Sequence, residues 1–320
     1  MKHLLIQGML AISLTASVSV AQAAWPNDKP IEVIVGFSPG GGTDVMARLI
    51  ARFAEKRLPD ARFVVVNKPG AGGTIAFAAI ARAAPDGYTI GMINAPGFNF
   101  LPLYKPTQYK PEDLRLIARV VEDPIVIYAK RDSDVPKSLS GIVEALKEKP
   151  ESLSFGYSGD GTVGHIGLMQ MEQLAEFEAN AIPFKGGADS RSALIGGHIS
   201  YALLTTGEVP DATSADSPFI AVAQLAQNRS ENFDTVPTAN EEGVDVSIAS
   251  ERGFAAPKDT PPEITKRLEA LLKEILKDPE FVAAATADAP VLAFEPGDEW
   301  AAQLKKDTNA LRPLAAKLKQ

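Results

Sequence analysis

The chain has 320 residues, 45% of them hydrophobic, with a net charge of −8 and no cysteine. This excludes a disordered or fibrous chain, a disulfide framework, a thiol nucleophile and a lipid anchor on cysteine. An acidic chain without a run of lysines or arginines argues against nucleic acid and anionic membranes as partners. Any anionic ligand would have to be captured by local hydrogen bonds, against the overall field.

The first residues, MKHLLIQGMLAISLTASVSVAQA, read as a secretory signal peptide: Lys2, an apolar stretch from Leu4 to Val20, then the small triplet Ala21-Gln22-Ala23. Cleavage is expected after Ala23. Trp25, Pro26, Asn27 and Asp28 follow in place of stop-transfer charges, which argues against a retained anchor. The remaining length suffices for two lobes of about 150 residues each.

Beyond the signal, short β-rich runs alternate with helical patterns. IEVIVGF precedes VMARLIARFAEKRL, FVVVN precedes TIAFAAIARAA, and YTIGMIN follows. Later, LSFGYS precedes VGHIGLMQMEQLAEF, AIPF precedes ADSRSALIGG, and ISYALLT closes the series. The alternation predicts an α/β fold with largely parallel sheets flanked by helices. RLIARVVEDPIVIYAKRDS holds two extended runs around Pro124 and suits a crossing between lobes, with a return near VDVSIASERGFAAP. One lobe is thus expected from 24–124 with 250–290, the other from 125–249 with 291–320, the sequence leaving the lobe of this last segment open. In PPEITKRLEALLKEIL, Ile264, Leu268, Leu271, Leu272 and Ile275 recur at helical spacing and read as packing. A last amphipathic helix, from Gly297 through Trp300, is interrupted by Pro313.

Three glycine loops share one grammar. GGGT at Gly40 to Thr43, GAGGT at Gly70 to Thr74 and GDGT at Gly159 to Thr162 each follow a predicted strand and precede a predicted helix. The glycines allow close approach, and the threonine hydroxyl is expected to cap free amides at the helix entrance. A helix N-terminus offers unsatisfied N–H groups and the positive end of the macrodipole, and strand C-termini are where open α/β sheets bind ligands. The expectation is an anionic group held by backbone and hydroxyl donors between two lobes; the competing reading is three tight turns. A helix end contributes at most ~2 kcal/mol and a charged hydrogen bond ~1.5–3 kcal/mol, whereas micromolar binding needs about −8 kcal/mol. Several bonds and exclusion of water in a cleft are therefore required.

No loop carries the lysine of a phosphate-cradling GxxxxGK[ST], and none matches GxGxxG with a following acid, so a carboxylate fits better than a nucleotide. Candidate basic partners are Lys68, Lys185 and Arg252. Arg252, in SERGFAAP, is the preferred one because its planar fork matches a carboxylate; a surface ion pair is the alternative. Asp44 reads either as a first-turn acid stabilised by the dipole or as a group that repels a second carboxylate.

FGYSGDGT approaches a nucleophile elbow at Ser158, but Asp160 stands where G-x-S-x-G needs glycine. The histidines available to a triad are His165, seven residues on, and His198, so a secreted serine hydrolase using Ser158 is only the alternative reading. His165 could reach a ligand or lock its loop. HExxH, EF-hand and His/Cys metal spacings are absent from the sequence, so neither metal nor cofactor is expected.

WPNDKPIEVIVGFSPGGGTDVMARLIA, VVVNKPGAGGTIAFAAIARAAPDGYTI, YSGDGTVGHIGLM, IPFKGGADSRSALIGGHI and VPTANEEG occur in this order from Trp25 toward the C-terminal helices. Together they resemble the extracytoplasmic solute receptors of tripartite tricarboxylate transporters, often called the Bug family. The resemblance implies a two-lobed, Venus-flytrap periplasmic receptor, type II-like and monomeric. It would close on a small organic carboxylate and deliver it to a permease with a large and a small integral subunit. The implied carboxylate-gripping loops are Phe37 to Asp44, which contains Ser38, Pro39, Gly40, Gly41 and Thr43, and Ser158 to His165, which contains Asp160 and Thr162. Gly73, Asn94 and the Lys185-Gly186-Gly187 stretch would add further wall, with water bridging part of the contact. Where many relatives have a tryptophan-containing segment this chain reads ASERGFAAP, a form closer to the tricarboxylate-receptor branch. That departure favours a di- or tricarboxylate, with Arg252 on a second carboxylate. A receptor that signals to a membrane sensor would use the same closure.

Overall fold

The computed structural model describes residues 25–209, 211–285 and 291–318; the expected signal peptide, residues 1–23, lies outside the described residues. Two α/β lobes share one long strand. In the first lobe, β1 (Ile31–Val35) pairs in parallel with β2 (Phe63–Asn67) and β3 (Thr89–Ala95). β9 (Ala249–Pro257) runs antiparallel between β3 and β4 (Leu114–Lys130), and β10 (Leu292–Pro296) adds to β4. In the second lobe, β5 (Ser154–Tyr157) pairs in parallel with β6 (Asn180–Pro183) and β7 (Tyr201–Thr205). There β4 pairs antiparallel with β7 and with β8 (Phe219–Leu225). The sheets are therefore mixed, because the chain crosses and returns between lobes.

β4 is 17 residues long and continuous where two extended runs were expected. Its first half pairs with β9 up to Pro124, and pairing with β7 and β8 begins at Ile125. Proline lacks the N–H that a ladder needs, and it falls where the strand changes sheets.

The apolar run of β1 is buried on both faces, as suits a central strand. On one face Val33 and Val35 meet Met46, Ile50 and Phe53 of α1 (Gly42–Arg57) and Leu268 and Leu272 of α7 (Pro262–Leu276). On the other, Ile34 meets Phe77 of α2 (Thr74–Ala81), Phe98 of α3 (Gly97–Tyr104) and Trp300 of α9 (Gly297–Lys317). Each such buried side chain stabilises by roughly 1.5–3 kcal/mol relative to exposure. In α1, Asp44 lies in the first turn and Lys56 and Arg57 in the last, complementing the helix dipole.

Of the C-terminal segment expected with the second lobe, the described residues 291–318 pack chiefly on the first. β10 pairs with Ala118, Arg119 and Val121, and Trp300 and Leu304 enter the first-lobe core. The amphipathic face of α9 matches the open side of that sheet, and only its end, at Leu314 and Ala315, reaches Ile166 of the second lobe. Pro313 lies within the helix without ending it.

The second-lobe core sets Leu139, Ile142 and Leu146 of α4 (Leu139–Glu148) and Leu168 and Met171 of α5 (Val163–Ala175) against Phe155, Tyr201 and Leu203. α6 (Gly187–Ile195) places Leu194 against Leu204 on the opposite face. The starts of α1, α5 and α6 all lie at strand C-termini that face the cleft.

Candidate functional site: the interlobe cleft

The loop from β1 to α1 is folded back by Asp44. Its Oδ2 accepts from the Gly40 amide at 3.0 Å, its Oδ1 accepts from Asn67 Nδ2 at 2.9 Å, and Arg48 Nε donates to both oxygens. Burial acts to raise the Asp44 pKa, but the bonds from Arg48, Gly40 and Asn67 and the Arg48 charge outweigh it and hold the group below its ordinary value. Its stabilisation is present above the unfolded-state value and is lost as pH falls through the lower folded value. Asp44→Asn is expected to flatten the decline in melting temperature below about pH 4; an unchanged acid limb would refute this role. Asp44 thus shapes the loop, and Pro39 and Gly40 are exposed at its tip.

In the second lobe, the loop from Ser158 leads to Thr162 at the N-cap of α5. His165 locks this loop: its Nδ1 accepts from the Gly161 amide at 2.9 Å, and its ring stacks on Tyr157 at 4.8 Å. Burial pushes its pKa down, against Asp160 and with Lys105, which favours the neutral ring that an Nδ1 acceptor requires. Tyr157 also donates its hydroxyl to Asp160 Oδ1 at 3.2 Å.

The threonines do not cap as expected. Thr43 Oγ1 accepts from Asn94 Nδ2 at 2.8 Å, Thr74 donates to Ala71 O, and Thr162 donates to Gly159 O at 2.7 Å. The N-cap residues of α1 and α5 make no side-chain cap; among the described residues the Gly42 amide of α1 is taken by Glu208 Oε1 at 3.3 Å, and the other first-turn amides of the two helices meet no side-chain acceptor.

Those two helix starts line one cavity. From the first lobe come Phe37, Gly41, Gly42, Thr43, Asn94 and Gly97; from the second, Ser158, Thr162, Val163, Gly164, Thr205 and Glu208. Asn94 Oδ1 is buried there without a hydrogen-bond partner among the described residues. An outer mouth is lined by Gly72, Asp160, Lys185 and Asp189. Gly73, expected as wall, packs against Phe77 beneath the loop, while the neighbouring Gly72 reaches the cavity.

The lobes touch backbone to backbone around this cavity. A Cβ built on Gly72 would lie 2.5 Å from Asp160 O, one on Gly97 2.9 Å from Gly161 O, and one on Gly186 3.0 Å from Ser38 N. Ser38 Oγ donates to Asp189 Oδ2 at 2.7 Å across the same gap. The conformation is closed.

Arg252 lies on the cavity wall, but it is not a surface ion pair. It is 1% exposed, and its Nη2 donates to Asp123 Oδ2 at 2.7 Å, with Asp123 0% exposed. Asp123 Oδ1 accepts from the Thr206 amide at 3.0 Å and the Thr206 hydroxyl at 2.6 Å. The pair joins both crossing strands, β4 and β9, to the second lobe.

Sequence reading missed Asp123, Thr205 and Glu208. Thr205-x-x-Glu208 is a capping box at the C-terminal end of β7, and that spacing was the available signal. The hydrolase alternative finds no support, since among the described residues no histidine hydrogen-bonds Ser158 and His165 Nδ1 is engaged by its own loop.

The sequence pattern described as "Tripartite tricarboxylate transporter family receptor" matches residues 46–311. Protein BugT of Bordetella pertussis is 33% identical, the match covering 91% of each chain. A ligand-free TctC solute-binding protein from Polaromonas is 31% identical, with 92% of this chain and 100% of that one covered and a TM-score of 0.66. MatC from Rhodopseudomonas palustris with bound malate is 25% identical, covering 89% and 98%, with a TM-score of 0.79. Fold, cleft and sequence agree: the chain belongs to the tripartite tricarboxylate transporter receptor family, two-lobed solute-binding proteins of the periplasm and not enzymes.

Proposed function

We propose that this receptor works in the periplasm, released there by cleavage after Ala23, and as a monomer closes on one small organic carboxylate for a permease of two integral subunits. The observation that carries the reading is the convergence of the first-turn amides of α1 and α5, helices from opposite lobes whose N-cap residues supply no side-chain cap, on one cavity. Such donors suit an anion, and one of them, Gly42 N, already bonds a carboxylate, that of Glu208, at 3.3 Å. The superpositions support closure around a ligand. The malate-bound relative matches this conformation better than the ligand-free one, although it is less similar in sequence. The expectation of a di- or tricarboxylate rested on the SERG segment, with Arg252 on a second carboxylate; Arg252 lines the cavity but its Nη2 is paired with Asp123, and the proposal here is for the carboxylate class.

A thermal-shift panel tests it. A ligand at 100 times its Kd adds ~2.7 kcal/mol, so one or more carboxylates should raise the melting temperature by about 4–8 °C. Stabilisation by uncharged sugars or metal ions alone would refute the reading.

A further inference from the structure

Glu208 brings a negative charge into the cleft and lodges it where two helices begin. Oε1 lies 3.3 Å from the Gly42 amide at the start of α1, in the opposite lobe. A Cβ on Gly187, the first residue of α6, would lie 1.9 Å from the same oxygen, and one on Gly41 3.6 Å from it. Oε2 is fixed by the Thr205 amide at 3.1 Å and the Thr205 hydroxyl at 3.4 Å. The side chain is therefore braced from its own turn and reaches across the gap. Glycine at 187 is what lets the carboxylate approach the α6 start, while at Gly42 a Cβ would meet Arg252 Nη1 at 2.5 Å and Glu208 Cγ at 3.3 Å, so both side chains crowd the α1 start.

This arrangement is that of an anion already bound at a helix N-terminus. The α1 donor it uses lies on the wall of the same cavity as the α5 start. We propose that Glu208 determines ligand specificity by occupying, with the protein's own carboxylate, the position a second ligand carboxylate would take. A ligand carboxylate then has the α5 start and the remaining α1 amides, and the far end of the ligand is uncharged. A second anionic group would meet Glu208 at close range in a site shielded from water, where like charges repel strongly. The inference rests on the reading of this cleft as a carboxylate site and narrows it to monocarboxylates.

The test uses titration calorimetry with matched straight-chain mono- and dicarboxylates of three to eight carbons, on the wild-type receptor, Glu208→Gln and Glu208→Ala. Wild type is expected to bind the best monocarboxylate at least 10-fold more tightly than the dicarboxylate of equal length. Glu208→Gln, which keeps the shape and removes the charge, is expected to shrink that preference by about 10-fold or more, and Glu208→Ala to reverse it. The wild-type preference needs no variant to fold, and a wild type that favours dicarboxylates overturns the inference. An equal mono-to-dicarboxylate ratio in wild type and Glu208→Gln also overturns it, while the carboxylate reading stands. If no carboxylate binds wild type, the carboxylate reading itself fails and takes this inference with it.

Discussion

Replacing Asp123 by asparagine is expected to destabilise the protein by about 3–5 kcal/mol, the range seen when one partner of a buried ion pair is removed. Asp123 and Arg252 are 0% and 1% exposed, and their 2.7 Å contact is braced by two bonds from Thr206. Asparagine keeps the size and can still accept from Thr206, so packing changes little. What is lost is the charge that offsets a guanidinium held away from water. Equilibrium urea denaturation of wild type and Asp123→Asn measures the difference; a loss under 1 kcal/mol with an unchanged slope would show that this pair does not govern the stability of the lobe junction.

The second large effect concerns closure. Gly97→Ala places a Cβ 2.9 Å from Gly161 O and 3.3 Å from Thr162 Cα, both main-chain atoms of the facing lobe. Gly97 is the first residue of α3, so alanine suits its own helix and only the interlobe contact suffers. Holding the lobes a few tenths of an ångström apart costs about 1–3 kcal/mol, as overpacking does, which is roughly a 5- to 150-fold loss of ligand affinity. The melting temperature without ligand should stay close to wild type. Calorimetric titration with the carboxylate found by thermal shift gives the comparison, and equal affinities would mean that the ligand-bound state never brings these two backbones together.

Much of the frame was legible because it is written in local periodicity. The alternation from β1 through α2, the spacing of Leu268, Leu271, Leu272 and Ile275 in α7, and the glycine loops at strand ends all depend on neighbours within a few residues. What escaped depends on distant partners. Nothing near Arg252 announces that Asp123, 129 positions earlier, is its counter-charge, because strand register across the lobe junction brings them together. The Thr43 hydroxyl was expected to cap its own helix, but Asn94, from the next strand but one, claims it. Trp300 read as part of a helix of uncertain lobe, since an amphipathic pattern tells that a face is buried and not which sheet it covers.

β4 serves both sheets without a break, lying between β9 and β10 in one and between β7 and β8 in the other. Neither half of the molecule can therefore be excised with its sheet intact. Whatever rigidity one half gains at its end of that shared ribbon is transmitted to the other, so jaws that must move apart are nevertheless obliged to fold as a single unit.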